Sequence, residues 1–191
     1  MTTPSQSARE RMLAGEPYDP LDEELVAGRA RARALTLEYN ATLGGETARR
    51  SELLGALLGD ADESAWIEPP FYCDYGSNIY LARNVFLNLG CVILDCARVE
   101  IGENTLLGPS VQIYAATHPV DPAARRAGVE FARPVVVGAD VWIGGACVVC
   151  PGVTIGAGTT VGAGSVVVSD LPPRVVAAGN PCRVIRKLEE P

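Results

Sequence analysis

The sequence predicts a mainly β protein: a parallel β-helix of hexapeptide repeats, with an N-terminal helical segment and a short C-terminal helix. Three observations predict it. From Ile101 onward an aliphatic residue, usually followed by glycine or another small residue, recurs at a six-residue beat. The beat runs Ile101-Gly102, Leu107-Gly108, Ile113, Val137-Gly138, Ile143-Gly144, Val149, Ile155-Gly156, Val161-Gly162 and Val167. Six residues are too few for a helical repeat, so each unit is one short strand plus a turn, and three units close a triangular coil. Composition agrees, with 20 glycines and 48% hydrophobic residues in 191. The first third has a different texture, rich in Glu, Arg, Ala and Leu at helical spacing. The chain therefore divides into a helical segment over 1–62, a β-helix over 63–171 and a tail over 172–191.

The elements follow in order. Leu21 to Asn40 reads as a helix with Leu25, Arg29, Ala32 and Leu35–Leu37 at roughly helical spacing. Asp19, Pro20 and Asp22 start it, and Gly44-Gly45 stop it. Thr47 to Leu58 reads as a second, with Leu53, Leu54, Leu57 and Leu58 on one face. Arg29, Arg31 and Arg33 read either as a charged functional face or, the commoner meaning of such a run, as a solvated helix face. Both helices suit a cap over the open end of the coil, where a bare strand edge invites association. Looser hexads at Cys73, Ile79, Val85 and Cys91 begin the coil, and the register then slips by four residues to Ile101. Polar residues project there. Asn84 fits a turn corner, where asparagine tolerates unusual backbone angles. Asp74, Asn88 and Asp95 suit a polyhydroxyl ligand.

The beat breaks once. Continuing it requires aliphatics at positions 119, 125 and 131, which hold Pro119, Arg125 and Phe131. The polar, proline-broken stretch 117–134 is therefore an excursion loop, and loops on a rigid scaffold concentrate function. It carries His118, the single histidine of the chain, and histidine is the usual general base near neutral pH.

Charge and cysteine usage exclude several classes. A net charge of −7 argues against nucleic acid and anionic membranes as partners. There is no 18-residue apolar run, and the polar start Met1–Ser5 carries no signal pattern, so a cytoplasmic protein is expected. Cys147 and Cys150 form a nominal C-x-x-C, but it lies inside the repeats with no second pair or second histidine to complete a zinc site. With Cys73, Cys91, Cys96 and Cys182 they read as reduced core or interface residues, and nothing calls for a metal. In the tail, Arg183, Arg186 and Lys187 place three cations within five residues. They read either as a basic helix end complementing its dipole or as guanidinium groups for the phosphates of an anionic cofactor.

Six segments occur in a telling order: Arg11-Met12-Leu13-Ala14-Gly15, Asp74-Tyr75-Gly76, Thr117-His118-Pro119, Val141-Trp142-Ile143-Gly144-Gly145, Pro151-Gly152-Val153-Thr154-Ile155-Gly156 and Gly179-Asn180-Pro181. Over nearly its whole length the chain resembles the maltose and galactoside O-acetyltransferases of the hexapeptide-repeat acyltransferase superfamily. The resemblance implies a left-handed coil, a homotrimer, and acetyl transfer from acetyl-CoA to a sugar hydroxyl. His118 matches the catalytic base, Gly145 the backbone N–H that meets the oxyanion, and Asn88 a residue beside the acceptor that helps stabilise the transition state. Asp74, Asp95 and Glu130 match the acceptor pocket. Trp142, Gly145, Ala163, Arg183 and Arg186 match the CoA groove.

Two departures stand out. Val168-Ser169-Asp170 stands where the family often has Thr-Lys-Asp, which weakens one CoA contact and leaves the two arginines in place. The N-terminal acceptor carboxylate falls at Asp19 or Asp22, while direct offset lands on Pro20. Rival readings are a xenobiotic (antibiotic) acetyltransferase of the same superfamily and a non-catalytic scaffold. A γ-class carbonic anhydrase needs three histidine ligands and is excluded by the single His118.

Overall fold

The computed structural model describes residues 6–189, so the polar start Met1–Ser5 and residues 190–191 lie outside the described residues. Strands stack into three faces. The first holds Asp60–Ala61, Ile79–Leu81, Val99–Ile101, Val135–Val137 and Thr154–Ile155. The second holds Trp66–Ile67, Phe86–Leu87, Leu106–Leu107, Trp142–Ile143, Thr160–Val161 and Val175–Ala178. The third holds Tyr72–Cys73, Val92–Leu94, Gln112–Tyr114, Val148–Val149 and Val166–Val167. Neighbours within each face pair in parallel, so the chain is a parallel β-helix. No described helix is long and apolar enough to cross a membrane.

Every aliphatic of the beat from Ile101 to Val167 is at most 2% exposed. A second inward row lies two residues earlier: Val99, Thr105, Val111, Val135, Val141, Cys147, Val153, Thr159 and Ser165 are all buried. Residues two apart on a strand share a face, so each hexad contributes a pair to the core. The small residue after the aliphatic has a packing role. A Cβ on Gly144 would stand 2.5 Å from the Ala163 nitrogen in the next coil, so the coils stack only because nothing is there.

The first coils correct the sequence reading. Leu81, Leu87 and Ile93 pair with Ile101, Leu107 and Ile113, whereas Val85 and Cys91 fill the other inward row. Register partners lie twenty residues apart there (Leu87 with Leu107) and eighteen apart later (Ile143 with Val161). The two extra residues fall at one place, the corner leading from the third face to the first: Cys73 to Leu81, then Ile93 to Ile101. The excursion between Ile113 and Val137 leaves from that same corner one coil further on. All three departures from a strict prism are thus stacked. The opposite treatment is seen where the first face turns into the second: Asn84, Asn104 and Asp140 adopt φ near +57°. Their side chains form a ladder of 3.1 Å hydrogen bonds, Asn84 to Asn104 to Asp140, in keeping with the corner role expected of Asn84.

Four helices complete the described residues. α1 (Ala8–Leu13), too short to show periodicity, carries a full capping box between Ser7 and Glu10. α2 (Glu23–Asn40) starts at Asp22, whose side chain accepts from the Glu24 N–H. It buries Leu25, Ala32, Thr36 and Tyr39, while Leu37 is 74% exposed, so its inner face drifts from the expected one. Asn40 clamps the first coil by bonding both backbone groups of Phe71. α3 (Thr47–Leu57) buries Leu53, Leu54 and Leu57, with Leu58 beyond it also buried. α4 (Pro122–Arg126) sits at the tip of the excursion.

The short C-terminal helix is not formed. Arg183–Lys187 is a strand, antiparallel to Val175–Ala178, so Val176 faces Arg186 and Ala178 faces Arg183. The last coil leaves an open edge, and pairing its N–H and C=O groups outweighs a local helix preference that Val184 and Ile185 weaken.

Candidate active site

The excursion is a hairpin. Ala116–Thr117 pairs antiparallel with Phe131–Ala132, Thr117 facing Phe131, which brings His118 and Glu130 to adjoining positions. Asp121 caps α4 by accepting from the Ala124 N–H, and Arg125 donates to the carbonyls of Pro119 and Val120, so the tip is tied down. The chain after α1 joins as a further bridge: Tyr18 and Glu130 exchange both backbone hydrogen bonds at 3.1 Å. The Tyr18 hydroxyl then donates to Glu130 Oε2 at 3.0 Å, while Glu130 Oε1 lies 3.7 Å from His118 Nε2. That separation is too long for a hydrogen bond and close enough to orient an imidazolium once the histidine takes a proton.

His118 stands between two openings, with its side chain 54% exposed. On one side is a cavity of about 720 Å³ bounded by Arg11, Tyr18, Asp19, His118, Arg125 and Glu130. On the other is one of about 600 Å³ with Gly15, Thr117, Phe131, Arg133 and Pro151 on its walls. A base reachable from two sides suits a proton moving between two substrates.

Behind Tyr18 the stacked corners supply Asp74 and Cys96. The Cys96 thiol lies against the Tyr18 phenol and 3.5 Å from Asp74 Oδ2. Burial, then Cys96 and Glu130, push the Tyr18 phenol far above its ordinary range, so it stays a donor. Burial likewise raises the Asp74 carboxyl, against the pull of its Cys96 contact and of Arg29 and Arg33. Arg29 is not on a solvated face: it donates to the Tyr75 hydroxyl at 2.7 Å and to the Pro20 carbonyl.

Asp95, expected in the acceptor pocket, is fully buried. Its Oδ1 accepts from the Asp74 and Tyr75 N–H groups and its Oδ2 from the Asn78 N–H. Its lone pairs hold the corner that presents Asp74, so its carboxylate does not face a ligand. Burial raises its carboxyl while the backbone donors oppose that.

The remaining candidates gather elsewhere. Trp142, Thr160, Val176 and Arg186 are successive register partners on the second face, with Trp142 56% exposed. Gly145 and Ala163 follow on the corner leading to the third face, and Arg183 pairs beside them with Ala178. Asn88 lies on that corner too, its Oδ1 accepting from the Leu89 N–H. None of these residues lines either cavity beside His118. The chain therefore brings His118, Glu130 and Asp19 together on one edge, with Asp74 behind them, and carries Asn88, Gly145 and the groove residues on another. Sequence reasoning missed Tyr18, Cys96 and Arg29 as parts of the site; Tyr18 and Glu130 are 112 residues apart and only the fold joins them.

A coil of hexads with a loop-borne histidine and a second edge of glycines, tryptophan and arginines defines a hexapeptide-repeat transferase. In keeping with this, the model for bacterial transferase hexapeptide repeats (six repeats) matches residues 134–169. The maltose acetyltransferase hexapeptide capping motif matches residues 11–62. Nodulation protein L of Rhizobium meliloti (strain 1021) is 47% identical over 180 residues, covering 94% of this chain and 98% of that protein. A maltose O-acetyltransferase from Clostridium difficile 630 superposes with a TM-score of 0.95 at 45% identity, over 97% of this chain and all of the other. A galactoside acetyltransferase in complex with coenzyme A gives 0.93 at 40% identity, over 97% and 92%. The chain belongs to the maltose and galactoside O-acetyltransferase family, and it is an acetyltransferase.

Proposed function

We propose that this protein transfers the acetyl group of acetyl-CoA to a hydroxyl of a sugar, with His118 as general base. The observation that carries the reading is the placement of an exposed histidine between two cavities, backed by Glu130 and Tyr18. His118 takes the proton of the acceptor hydroxyl as its oxygen attacks the thioester carbonyl. The C–S bond then breaks and the proton passes to the departing thiolate. The Glu130 carboxylate, held by the hydroxyl of the buried Tyr18, steadies the transient imidazolium. Positioned acid–base catalysis of this kind contributes about 10²–10⁴-fold, and the Gly145 N–H stabilises the oxyanion.

Asn88 and Gly145 stand on a different edge from His118, so one chain does not complete the site. A threefold homotrimer, in which the His118 edge of one copy meets the Asn88–Gly145 edge of the next, brings the halves together. The Trp142, Ala163, Arg183 and Arg186 surface then holds CoA, its guanidinium groups taking phosphates, and Asp74, Asp19 and Glu130 face the acceptor. Thiol release from acetyl-CoA over maltose, glucose, isopropyl thiogalactoside and chloramphenicol tests the reading. Sugar-dependent release that falls by about 10²-fold or more in His118→Ala, with acetyl-CoA still bound, supports it. Release with chloramphenicol and none with any sugar replaces it by xenobiotic acetylation.

A further inference from the structure

The bond that fixes Glu130 depends on a single hydrogen, and that hydrogen has a second group beside it. Tyr18 donates its phenolic O–H to Glu130 Oε2 at 3.0 Å, and Glu130 Oε1 faces His118 Nε2 at 3.7 Å. The same hydroxyl meets the Cys96 thiol, whose Sγ lies 3.5 Å from Asp74 Oδ2. Cys91 and Cys147 instead donate to backbone carbonyls, those of Gly108 and Gly162. Tyr18 and Cys96 are both buried, so their hydrogens are shared among the groups named here and not with bulk water. A thiol is a weak donor and its sulfur a weak acceptor. Bonds to an ionised carboxylate are roughly twice as strong as neutral ones. Sulfur therefore loses to Glu130 for the phenolic hydrogen, and the thiol's own hydrogen turns to Asp74. A hydroxyl in the same place would accept well, and the phenol would divide its hydrogen.

We infer that Cys96 is a positioning residue for the His118–Glu130 pair: a poor acceptor beside Tyr18, it leaves the phenolic hydrogen to Glu130 and so keeps that carboxylate facing the histidine. Cys96 lines neither cavity beside His118, so it touches no substrate and acts through Tyr18. The inference rests on the acetyl-transfer reading above, in which His118 is the base.

The test is a double-mutant cycle of Cys96→Ser and Tyr18→Phe, read as thiol release from acetyl-CoA and referred to folded protein counted by acetyl-CoA binding. Cys96→Ser changes one atom and puts a strong acceptor beside the phenol. The expected result is a kcat lowered about fivefold, as for one lost hydrogen bond, with the KM for acetyl-CoA unchanged. A Tyr18→Phe chain has no phenolic hydrogen to divert, so adding Cys96→Ser lowers kcat no further. Cys96→Ala takes the competing acceptor away, so it should cost less turnover than Cys96→Ser although it removes more of the side chain. A cysteine that only packs would lower kcat by the same factor with and without Tyr18→Phe, and that outcome overturns the inference. So does an unchanged kcat in Cys96→Ser, or a greater loss in Cys96→Ala than in Cys96→Ser. If the wild type releases no thiol with any sugar, it is the acetyl-transfer reading that fails, and the two failures are told apart.

Discussion

Two inactive subunits should make an active enzyme if the site is shared between copies. His118 sits on the edge between the third and first faces, and Asn88 on the edge between the second and third. A His118→Ala chain keeps its Asn88 edge, and an Asn88→Ala chain keeps its His118 edge. In a threefold ring each site takes one edge from each of two neighbours. Equal amounts with free assortment make about three quarters of the trimers mixed. Every mixed ring, two-plus-one or one-plus-two, has about one intact site of three, so activity returns to about one quarter of wild type. Coexpression with two different tags and sequential purification gives the mixed rings directly, and thiol release from acetyl-CoA counts their sites. His118→Ala mixed with Glu130→Ala is the control, because both changes fall on one edge and no mixture restores it. Activity of the His118→Ala and Asn88→Ala mixture at the level of the single variants would refute the shared-edge geometry.

Asp95→Ala should behave as a loss of fold rather than of binding. It leaves the N–H groups of Asp74, Tyr75 and Asn78 without their acceptor, costing about 3–9 kcal/mol at about 1–3 per orphaned donor. Chemical denaturation reads this, and a stable variant with only a raised acceptor KM would restore Asp95 to the pocket. For Asp74, burial raises the native carboxyl above its unfolded value. The native state therefore binds the extra proton, and its contribution is present at low pH and is lost as pH rises from the ordinary aspartate range through the raised value. Asp74→Asn should accordingly gain stability relative to wild type across that rise and hold a constant difference above it. A denaturation midpoint difference that does not vary with pH would contradict this. Tyr18→Phe keeps the buried ring but removes the donor to Glu130; kcat should drop about five- to tenfold, as for one lost hydrogen bond, with the KM for acetyl-CoA unchanged. Unaltered kcat would leave Tyr18 a packing residue alone.

The hexad beat was legible because it is local: aliphatic, small residue, turn, each within six positions. The excursion was legible as a break in that beat, and His118 as the chemistry inside it. The two-residue insertions were not, for a reason of strand geometry. A shift of two keeps every side chain on the same side of a strand, so Val85 and Cys91 stay inward and imitate the register of Leu87 and Ile93. Asp95 shows a second limit, since a carboxylate aimed at backbone N–H groups and one aimed at a ligand look alike in sequence. The tail shows a third. Arg183, Arg186 and Lys187 obey helix-end rules locally, but the open edge of Val175–Ala178, formed by residues of earlier coils, decides the outcome.

These misses and the site have one physical origin. In coils of eighteen residues each inward row is filled, and a Cβ more at Gly102 or Gly144 meets the next coil's backbone at 2.5 Å. Such a prism has no internal room for a substrate and no side chain free to converge on one. A pocket therefore has to be built where the coil departs from the prism. The corner from the third face to the first departs three times in succession. First it presents Asp74, then Asp95 and Cys96, and finally the hairpin with His118 and Glu130. Asp95 is spent fixing the first of these corners, and Tyr18 crosses from the capping segment to tie Cys96 to Glu130. The helical cap is thereby part of the site as well as a cover for the coil. A change at Tyr18 should register in turnover of the acceptor while leaving the acetyl-CoA edge, a full corner away, as it was.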